Sequence, residues 1–412
     1  MQILRNVVEQ HCEEAGFLWQ LRNAAVDAPH YKLKDLAQLD ERLDAHLDGL
    51  SIAGSAGWKI CERAMANGKA GEVFSAAVLA FQANDPSWIR AVLTGGSRSP
   101  DMSRGLISAL TWLSKELVAT HIRLLLSSED PAAVRIGLAA CAAHRQDPGR
   151  ALNEALAAND LPLRARALKA IGEVGRKDLL AAVKVNLTAD DRGVRYWAAW
   201  SGSLIGEPSS VQVLRALAVP GQPKAAQACA TALRRMSVQE GQAWLKVLAS
   251  SPNTLRLAIQ AAGVIGDPAN IPWLIQQMAN PVVARVAGES FTFITGIDLA
   301  YDDLETDKPE GFEAGPTENP EDENVEMDPD EDLPWPNPQL IEKWWFTHRL
   351  QFTNGTRYLC GQPMTIESLN QVLRTGRQRQ RTAGAIELAI RQSGTRLFNR
   401  SAPGFRQQAL LK

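Results

Sequence analysis

The sequence has no hydrophobic run long enough to cross a membrane, because a spanning helix needs about 20 consecutive apolar residues. Its N-terminus also lacks the continuous apolar core and cleavage site of a signal peptide, since Glu9, Glu13 and Glu14 interrupt it. These absences predict a cytoplasmic protein without a membrane partner. Hydrophobic residues make up 45% of the chain and charged residues 22%, which is the composition of a folded globular protein.

Paired cysteines and catalytic motifs are absent as well. The five cysteines are far apart and lie mostly within apolar helical patterns, which is typical of buried thiols. The six histidines show no HExxH motif and no metal-ligand spacing with cysteine, and no serine or cysteine lies in a recognisable nucleophile motif. The sequence therefore predicts no catalytic residue, no metal site and no cofactor, and a protein that is not an enzyme.

Charge is unevenly distributed, although the formal net charge is only −2. Residues 301–332 are rich in aspartate and glutamate and contain Lys308 as their only basic residue. Residues 333–412 are basic, and their only acidic residues are Glu342, Glu367 and Glu387. This segregation predicts that the two segments face each other or face partners of opposite sign.

From about Gly71 the sequence repeats with a period of about thirty residues. Turn residues fall 30, 30, 30, 32 and 29 residues apart, at Asp130, Asp160, Asp190, Pro220, Pro252 and Pro281. Glycine breaks follow within repeats at Gly175, Gly206 and Gly266. Each unit is predicted to be a turn, a helix, a glycine break and a second helix, and stacked units share one continuous core.

The repeat units resemble HEAT repeats of the short bacterial kind found in phycobilisome lyases, as in DLPLRARALKAIGEVGRKDLLAAVKVNL at 160–187. The resemblance implies an all-α, HEAT-like α-solenoid, and the sequence beyond the repeats adds an acidic insert and a small β-hairpin near the C-terminus. It does not imply one function, because such arrays serve as scaffolds, adaptors, lyases and DNA-repair enzymes.

A second resemblance rests on stretches outside the repeats: HCEEAGFLWQLR, LDERLDAHLDGLSIAGSAGW, FTFITGIDL, LPWPNP and NGTRYLCGQP. Together they look like an uncharacterised proteobacterial family of about this length. Members of that family tend to occur with type VI secretion components, so the resemblance implies an accessory role in type VI secretion. It assigns no role to any single residue.

Four parts are predicted along the chain. Residues 1–69 form a helical N-terminal cap, 70–300 the HEAT-like array, 301–338 an acidic, proline-rich insert, and 339–412 a β-hairpin with helices. In the cap, leucines recur at the spacing of one helix face, at Leu36, Leu39, Leu43, Leu47 and Leu50. The insert interrupts the terminal repeat after its first helix.

The C-terminal part carries a strand signal. Asn354-Gly355 lies between WWFTHRLQF and TRYLC, and this pattern favours a hairpin with a type I′ turn. A helix at 381–391 is predicted to be the delayed second helix of the interrupted repeat. The tail at 398–412 is predicted to be loosely ordered.

The insert supplies most of the candidate partner-binding residues. Asp328, Asp330 and Asp332 have the spacing of a calcium loop, but Leu333 replaces its glycine and Gln339 its final glutamate, so a solvated acidic loop is favoured. Three tryptophans flank prolines and acidic residues and are interpreted either as anchors for the insert or as hot spots for a partner: Trp335, Trp344 and Trp345.

Arginines recur once per repeat, at Arg164, Arg195, Arg256 and Arg285. Arg164 and Arg195 are candidate partner-binding residues, because a row of arginines in one groove is able to follow a phosphate backbone. The favoured interpretation is structural, with pairing to the turn carboxylates Asp160 and Asp190. The acidic insert also opposes binding of a polyanion, so nucleic acid is disfavoured as a partner.

The sequence thus predicts a non-catalytic scaffold that binds another protein. The family resemblance makes an adaptor or chaperone for a type VI secretion effector the leading interpretation. An immunity protein that blocks a toxin and a nucleic-acid-binding HEAT protein are the alternatives.

Overall fold

The computed structural model describes residues 4–315 and 327–412. The described chain is mainly α-helical and forms two compact units. The first unit contains residues 4–27, 31–207 and 392–412, and the second contains 28–30 and 208–391. The predicted fold class, an all-α HEAT-like solenoid with a small hairpin near the C-terminus, is confirmed. Residues 316–326 of the predicted insert lie outside the described residues.

The helices of the first unit are α1 (Arg5–Ala25), α2 (Leu33–Ala53), α3 (Ser55–Met65), α4 (Ala70–Ala83), α5 (Pro86–Gly96), α6 (Pro100–Trp112), α7 (Lys115–Leu126), α8 (Pro131–Ala143), α9 (Arg150–Ala157), α10 (Leu161–Val174), α11 (Leu180–Asn186), α12 (Arg192–Ile205) and α22 (Gly404–Leu410). The leucines predicted to share one face of the N-terminal cap lie on α2, and all five are buried. They pack in a core with α1 and α4, which explains the three- and four-residue spacing.

The elements of the second unit are α13 (Ser210–Leu217), α14 (Ala225–Arg235), α15 (Val238–Ala249), α16 (Leu255–Ile265), α17 (Ile271–Gln277), α18 (Ala284–Thr295), α19 (Pro338–His348), β1 (Tyr358–Leu359), β2 (Gln362–Pro363), α20 (Ile366–Thr375) and α21 (Gln378–Arg391). In its core the first helices of successive repeats pack on one another, α14 on α16 and α16 on α18. Contacts between every second helix are what a stacked repeat requires.

The repeat helices begin and end where the sequence pattern predicts. The side chains of Asp130 and Asp160 cap α8 and α10 by accepting hydrogen bonds from backbone N–H groups of the first turn. Left-handed glycines end α10, α12 and α16, with φ of 82° at Gly175, 98° at Gly206 and 71° at Gly266. Glycine is favoured there because other residues resist positive φ.

Gly296 ends α18 in the same way, with φ of 77°, and meets the turn of the hairpin. A Cβ atom at this position would lie 2.6 Å from the carbonyl carbon of Cys360. We expect Gly296→Ala to lower the free energy of unfolding by about 1–3 kcal/mol more than Gly221→Ala, because both changes strain the backbone but only the first also crowds a neighbour. Gly221 has φ of 76° and nothing within 4 Å of the added atom. Urea unfolding measures the difference, and equal losses would contradict the packing argument.

The hairpin is present, but its strands are not the two predicted. β1 pairs antiparallel with β2, and Cys360 and Gly361 form the turn with positive φ. The segment WWFTHRLQF is not a strand, since most of it belongs to α19 and the short helical turn that follows. Asn337 caps α19 by accepting from the backbone N–H of Leu340, and Pro338 occupies its first position. This start signal outweighs the β propensity of the aromatic residues.

Two further predictions for the C-terminal part are wrong. α21 packs mainly against α20, so it is not the second helix of the interrupted repeat. The helix that follows the insert and reaches α18 is α19, whose Trp344 ring lies 5.6 Å from that of Phe291. The tail at 398–412 is not loosely ordered, because it contains α22 and is held by side chains of the first unit.

Among the described residues, no helix combines the length and the apolar character that crossing a membrane requires.

Candidate functional site

The ends of the acidic insert are fixed to the array through Arg285 of α18. This arginine is buried, and its guanidinium donates to the carboxylate of Asp328 at 2.6 Å and to the carbonyl oxygen of Asp330 at 2.9 Å. Its charged group also lies 4.5 Å from the ring centre of Trp335 and 5.8 Å from that of Phe312. The two rings meet edge to face. The guanidinium of Arg285 is therefore surrounded by the Asp328 carboxylate, the Asp330 carbonyl and the rings of Trp335 and Phe312.

Arg256, one repeat earlier, completes this anchor. Its guanidinium donates to the carboxylate of Asp330 at 2.8 Å, and that carboxylate is almost fully buried. Burial acts to raise the pKa of the Asp328 carboxylate. The hydrogen bonds that it accepts from the Asp330 backbone and from Arg285 outweigh this effect and keep that pKa below its usual value. The Asp328 carboxylate is therefore ionised at neutral pH and held as a partner of arginine.

Backbone contacts join the two ends of the insert. Thr306 donates its N–H to the carbonyl of Trp335 at 2.8 Å, and Asn337 donates to the carbonyl of Leu304 at 2.9 Å. Glu305 and Pro336 form an antiparallel bridge between them. The two ends of the insert are therefore hydrogen-bonded to each other where the chain leaves the array and returns to it.

The three predicted tryptophans pack against other aromatic rings of the second unit, Trp335 as described above and Trp344 and Trp345 from α19. Trp344 packs edge to face on Phe291 and stacks on His348 with ring centres 4.3 Å apart. Trp345 lies 5.4 Å from the ring of Phe352 and is half-buried. Trp335 and Trp344 have the contacts that an anchor requires.

The outer side of α19 presents large hydrophobic residues to solvent. Phe346 is 69% exposed, and Leu350, in the following helical turn, is 93% exposed. Half-buried Trp345 adjoins them, and the guanidinium of Arg349 lies 4.7 Å from the Phe346 ring centre. We call Trp345, Phe346 and Leu350 the α19 exposed face. Exposed aromatic and aliphatic groups rimmed by charge are typical of surfaces that bind other proteins.

The first part of the insert presents a row of carboxylates to solvent. Its exposed acidic residues are Asp302, Asp303, Glu305, Asp307, Glu310 and Glu313. Tyr301 begins the row and is 84% exposed. This surface complements a basic partner in charge.

The calcium-loop spacing does not bring its three carboxylates together around a cation. Asp328 and Asp330 are bound by guanidinium groups, as described above, while Asp332 is half-exposed and lies 3.7 Å from the ring nitrogen of His30 in the same unit. In the described parts of the chain, no cluster of three or more His, Cys, Asp or Glu residues is arranged to hold a metal.

The earlier repeat arginines bond to their own turns. Arg164 donates to the carbonyl of Ala158 at 2.6 Å and 3.0 Å, and Arg195 donates to the carbonyls of Ala189 and Asp190. The pairing is with backbone oxygens and not with the turn carboxylates predicted; the carboxylate of Asp160 caps α10, and the residue that caps α12 is Asp191 and not Asp190.

A buried ion cluster in the second unit has no counterpart among the predicted site residues. Glu387 of α21 is 1% exposed, and its carboxylate meets the guanidinium groups of Arg234, Arg357 and Arg391. Burial lowers the pKa of Arg234 and Arg357, while Glu387 opposes that change. Glu387 is the one acidic residue in the basic helical segment 377–391, and this isolation is the only local feature of the sequence that points to a buried ion cluster.

The stacked helical pairs and the anchored insert define a helical-repeat scaffold, a class of proteins that presents extended surfaces to other proteins. The family model for HEAT repeats matches residues 149–234, from the start of α9 into α14. HEAT repeats generally act as non-catalytic scaffolds for protein interactions. A comparison with curated proteins finds no match.

Proposed function

We propose that this protein is a non-catalytic scaffold that binds a partner protein through the α19 exposed face. The observation that carries the proposal is the exposure of Phe346 on α19 and of Leu350 in the helical turn that follows, while α19 itself is held by Trp344 and the buried Ile341. A rigid helix with exposed apolar side chains loses little conformational entropy when it binds. The exposed acidic residues of 301–313 would favour a partner with a basic surface, because opposite charges attract across an interface.

The partner we propose is a type VI secretion effector, with this protein as its adaptor or chaperone. The support comes from the resemblance of LPWPNP, NGTRYLCGQP and the N-terminal stretches to a family that occurs with type VI secretion components. Both LPWPNP and NGTRYLCGQP lie beside α19 in the sequence, so the resemblance falls on the same part of the chain as the exposed face.

An immunity protein is the second candidate, and the exposed carboxylates of 301–313 favour it if the toxin is basic. The nucleic-acid interpretation gains no support from the arginines, because Arg164 and Arg195 bond to turn carbonyls, and Arg256 and Arg285 bond to aspartates.

Loss of the protein from its native bacterium separates the first two roles. An adaptor predicts that secretion of one type VI effector stops while the secretion apparatus still exports its other substrates. An immunity protein predicts that the bacterium is poisoned and that co-expression protects a host from the toxin. Unchanged secretion of every effector would overturn the adaptor proposal.

The binding surface is tested by replacing Phe346 and Leu350 together with serine. We expect the affinity for the partner to fall by a factor of about 30 or more, because central exposed aromatics at interfaces contribute about 2 kcal/mol or more. Isothermal titration with the purified effector measures the loss. Val247→Ser is the matched control, since Val247 is 66% exposed in the same unit but lies on α15. Equal loss in the control, or no loss in the double variant, would remove α19 from the interface.

A further inference from the structure

In the first unit, several helices end on one surface that the C-terminal tail occupies. The last carbonyl groups of a helix have no partner within it and carry partial negative charge. We call this surface the helix-end ledge, and define it by the carbonyl oxygens at the ends of α1, α6, α8 and α10, namely those of Val26, Thr111, Trp112, Leu113, Ala143 and Glu173.

Two arginines of the tail satisfy most of these carbonyls. Arg406 donates to Thr111 at 2.8 Å and to the two carbonyls that follow it at 3.0 and 3.1 Å, so it caps the end of α6. Arg400 donates to the carbonyl of Val26 and pairs with the carboxylate of Asp27 at 2.7 Å. A guanidinium is suited to this task because it has five donors in one plane.

The tail backbone and one amide side chain fill the remaining positions. Asn399 donates to the carbonyl of Ala143 at 2.9 Å, and the N–H of Leu397 donates to the carbonyl of Glu173 at 3.1 Å. Arg145 in turn donates to the carbonyl of Leu397. The tail therefore runs along the ledge without helical structure over residues 396–403 and continues as α22 from Gly404.

A buried carboxylate binds the backbone at the centre of the tail. Asp40 of α2 is 1% exposed, and it accepts from Arg22 and from the N–H of Gly404 at 2.6 Å. Arg22 also donates to the carbonyls of Ser401 and Ala402, at 3.1 and 2.9 Å. A Cβ atom on Gly404 would lie 2.6 Å from the backbone of α2, so this position excludes any larger residue.

Little hydrophobic surface holds the tail in place. Its buried residues are small or polar, at Ala402, Pro403, Gly404 and Gln407. Of its large apolar side chains, Phe405 is 51% and Leu410 70% exposed, and Leu397, Phe398 and Leu411 are half-buried. Segments held mainly by polar contacts open at low free energy relative to global unfolding.

From this arrangement we propose that the helix-end ledge is a peptide-binding surface, and that the tail is its resident ligand. The partner it fits is a peptide that is non-helical up to its glycine and helical from there, with two arginines six residues apart and the glycine four residues after the first, as in Arg400, Gly404 and Arg406. Such a peptide binds in trans when the tail is displaced. This inference is independent of the α19 exposed face.

A labelled peptide of residues 396–412 tests the proposal on the full-length protein by fluorescence anisotropy. The attached tail has a high effective concentration, so the wild-type chain is expected to bind the peptide weakly. A full-length variant with Arg400→Ala and Arg406→Ala is expected to bind at least about tenfold more tightly, because its own tail has lost two charged donors. The same peptide carrying Gly404→Leu is expected not to bind.

Each other outcome overturns the proposal. If the folded double variant does not bind the peptide, the tail is a fixed part of the first unit. If wild type and variant bind equally, or if the leucine peptide binds as well, the peptide attaches elsewhere. Circular dichroism establishes folding of the double variant, and a full-length Gly404→Leu chain gives a second protein with a loosened tail.

Discussion

Glu387→Gln is expected to lower the free energy of unfolding of the second unit by about 3–5 kcal/mol, because it leaves buried guanidinium groups without their counter-charge. The nearest guanidinium nitrogens of Arg357 and Arg234 lie 3.1 and 3.6 Å from one carboxylate oxygen, and Arg391 bonds to the other. Arg357 also donates to the carbonyls of Val264 and Ile265. Loss of Glu387 thus disturbs the end of α16 as well as α21.

Urea unfolding followed by circular dichroism measures this loss. Glu342→Gln is the matched control, since Glu342 is an exposed glutamate on a helix of the same unit. Its expected effect is within about 0.5 kcal/mol, as for most surface substitutions. A similar small loss for Glu387→Gln would show that the cluster does not stabilise the fold.

Arg285→Met is expected to release the insert from the array and to cost about 3–5 kcal/mol, because the Asp328 carboxylate loses its cation and the backbone carbonyl of Asp330 loses a charged donor. Methionine retains much of the apolar volume beneath Trp335 and Phe312. We expect faster proteolysis within 301–336 as well as lower stability. Limited proteolysis with mass spectrometry locates the cleavage sites.

Arg195→Met is the control for that experiment. Arg195 holds the equivalent repeat position but bonds only to turn carbonyls in the contacts described above, so its loss is expected to cost about 1 kcal/mol and to leave insert cleavage unchanged. If Arg285→Met and Arg195→Met give the same stability and the same cleavage pattern, the anchor through Arg285 is contradicted.

The repeat array was predictable from the sequence because its signals are local. The spacing from Asp130 to Asp160 and the glycines at 175, 206 and 266 each act within one helical hairpin, as caps and left-handed helix ends. The face of α2 was predictable for the same reason, since a 3.6-residue period depends only on neighbouring turns.

The anchor and the tail were not predictable, because the insert and the tail have no sequence periodicity and their contacts join residues far apart in the chain. Arg285 reaches residues 43 and 45 positions away, and Gly404 reaches Asp40 across 364 positions. Nothing in the repeat pattern distinguishes Arg285 from Arg195. For α19, the aromatic residues suggested a strand, and the start signal at Asn337 and Pro338 decided the helix.

Hydrogen–deuterium exchange of the protein with and without the type VI effector proposed as its partner tests most directly whether the α19 exposed face is the interface. The account predicts slower exchange in peptides covering 338–352 and 301–313 when the effector is bound. It predicts unchanged exchange in α15, which carries the exposed control residue Val247. Protection confined to the array helices, with 338–352 unchanged, would contradict the proposed binding surface.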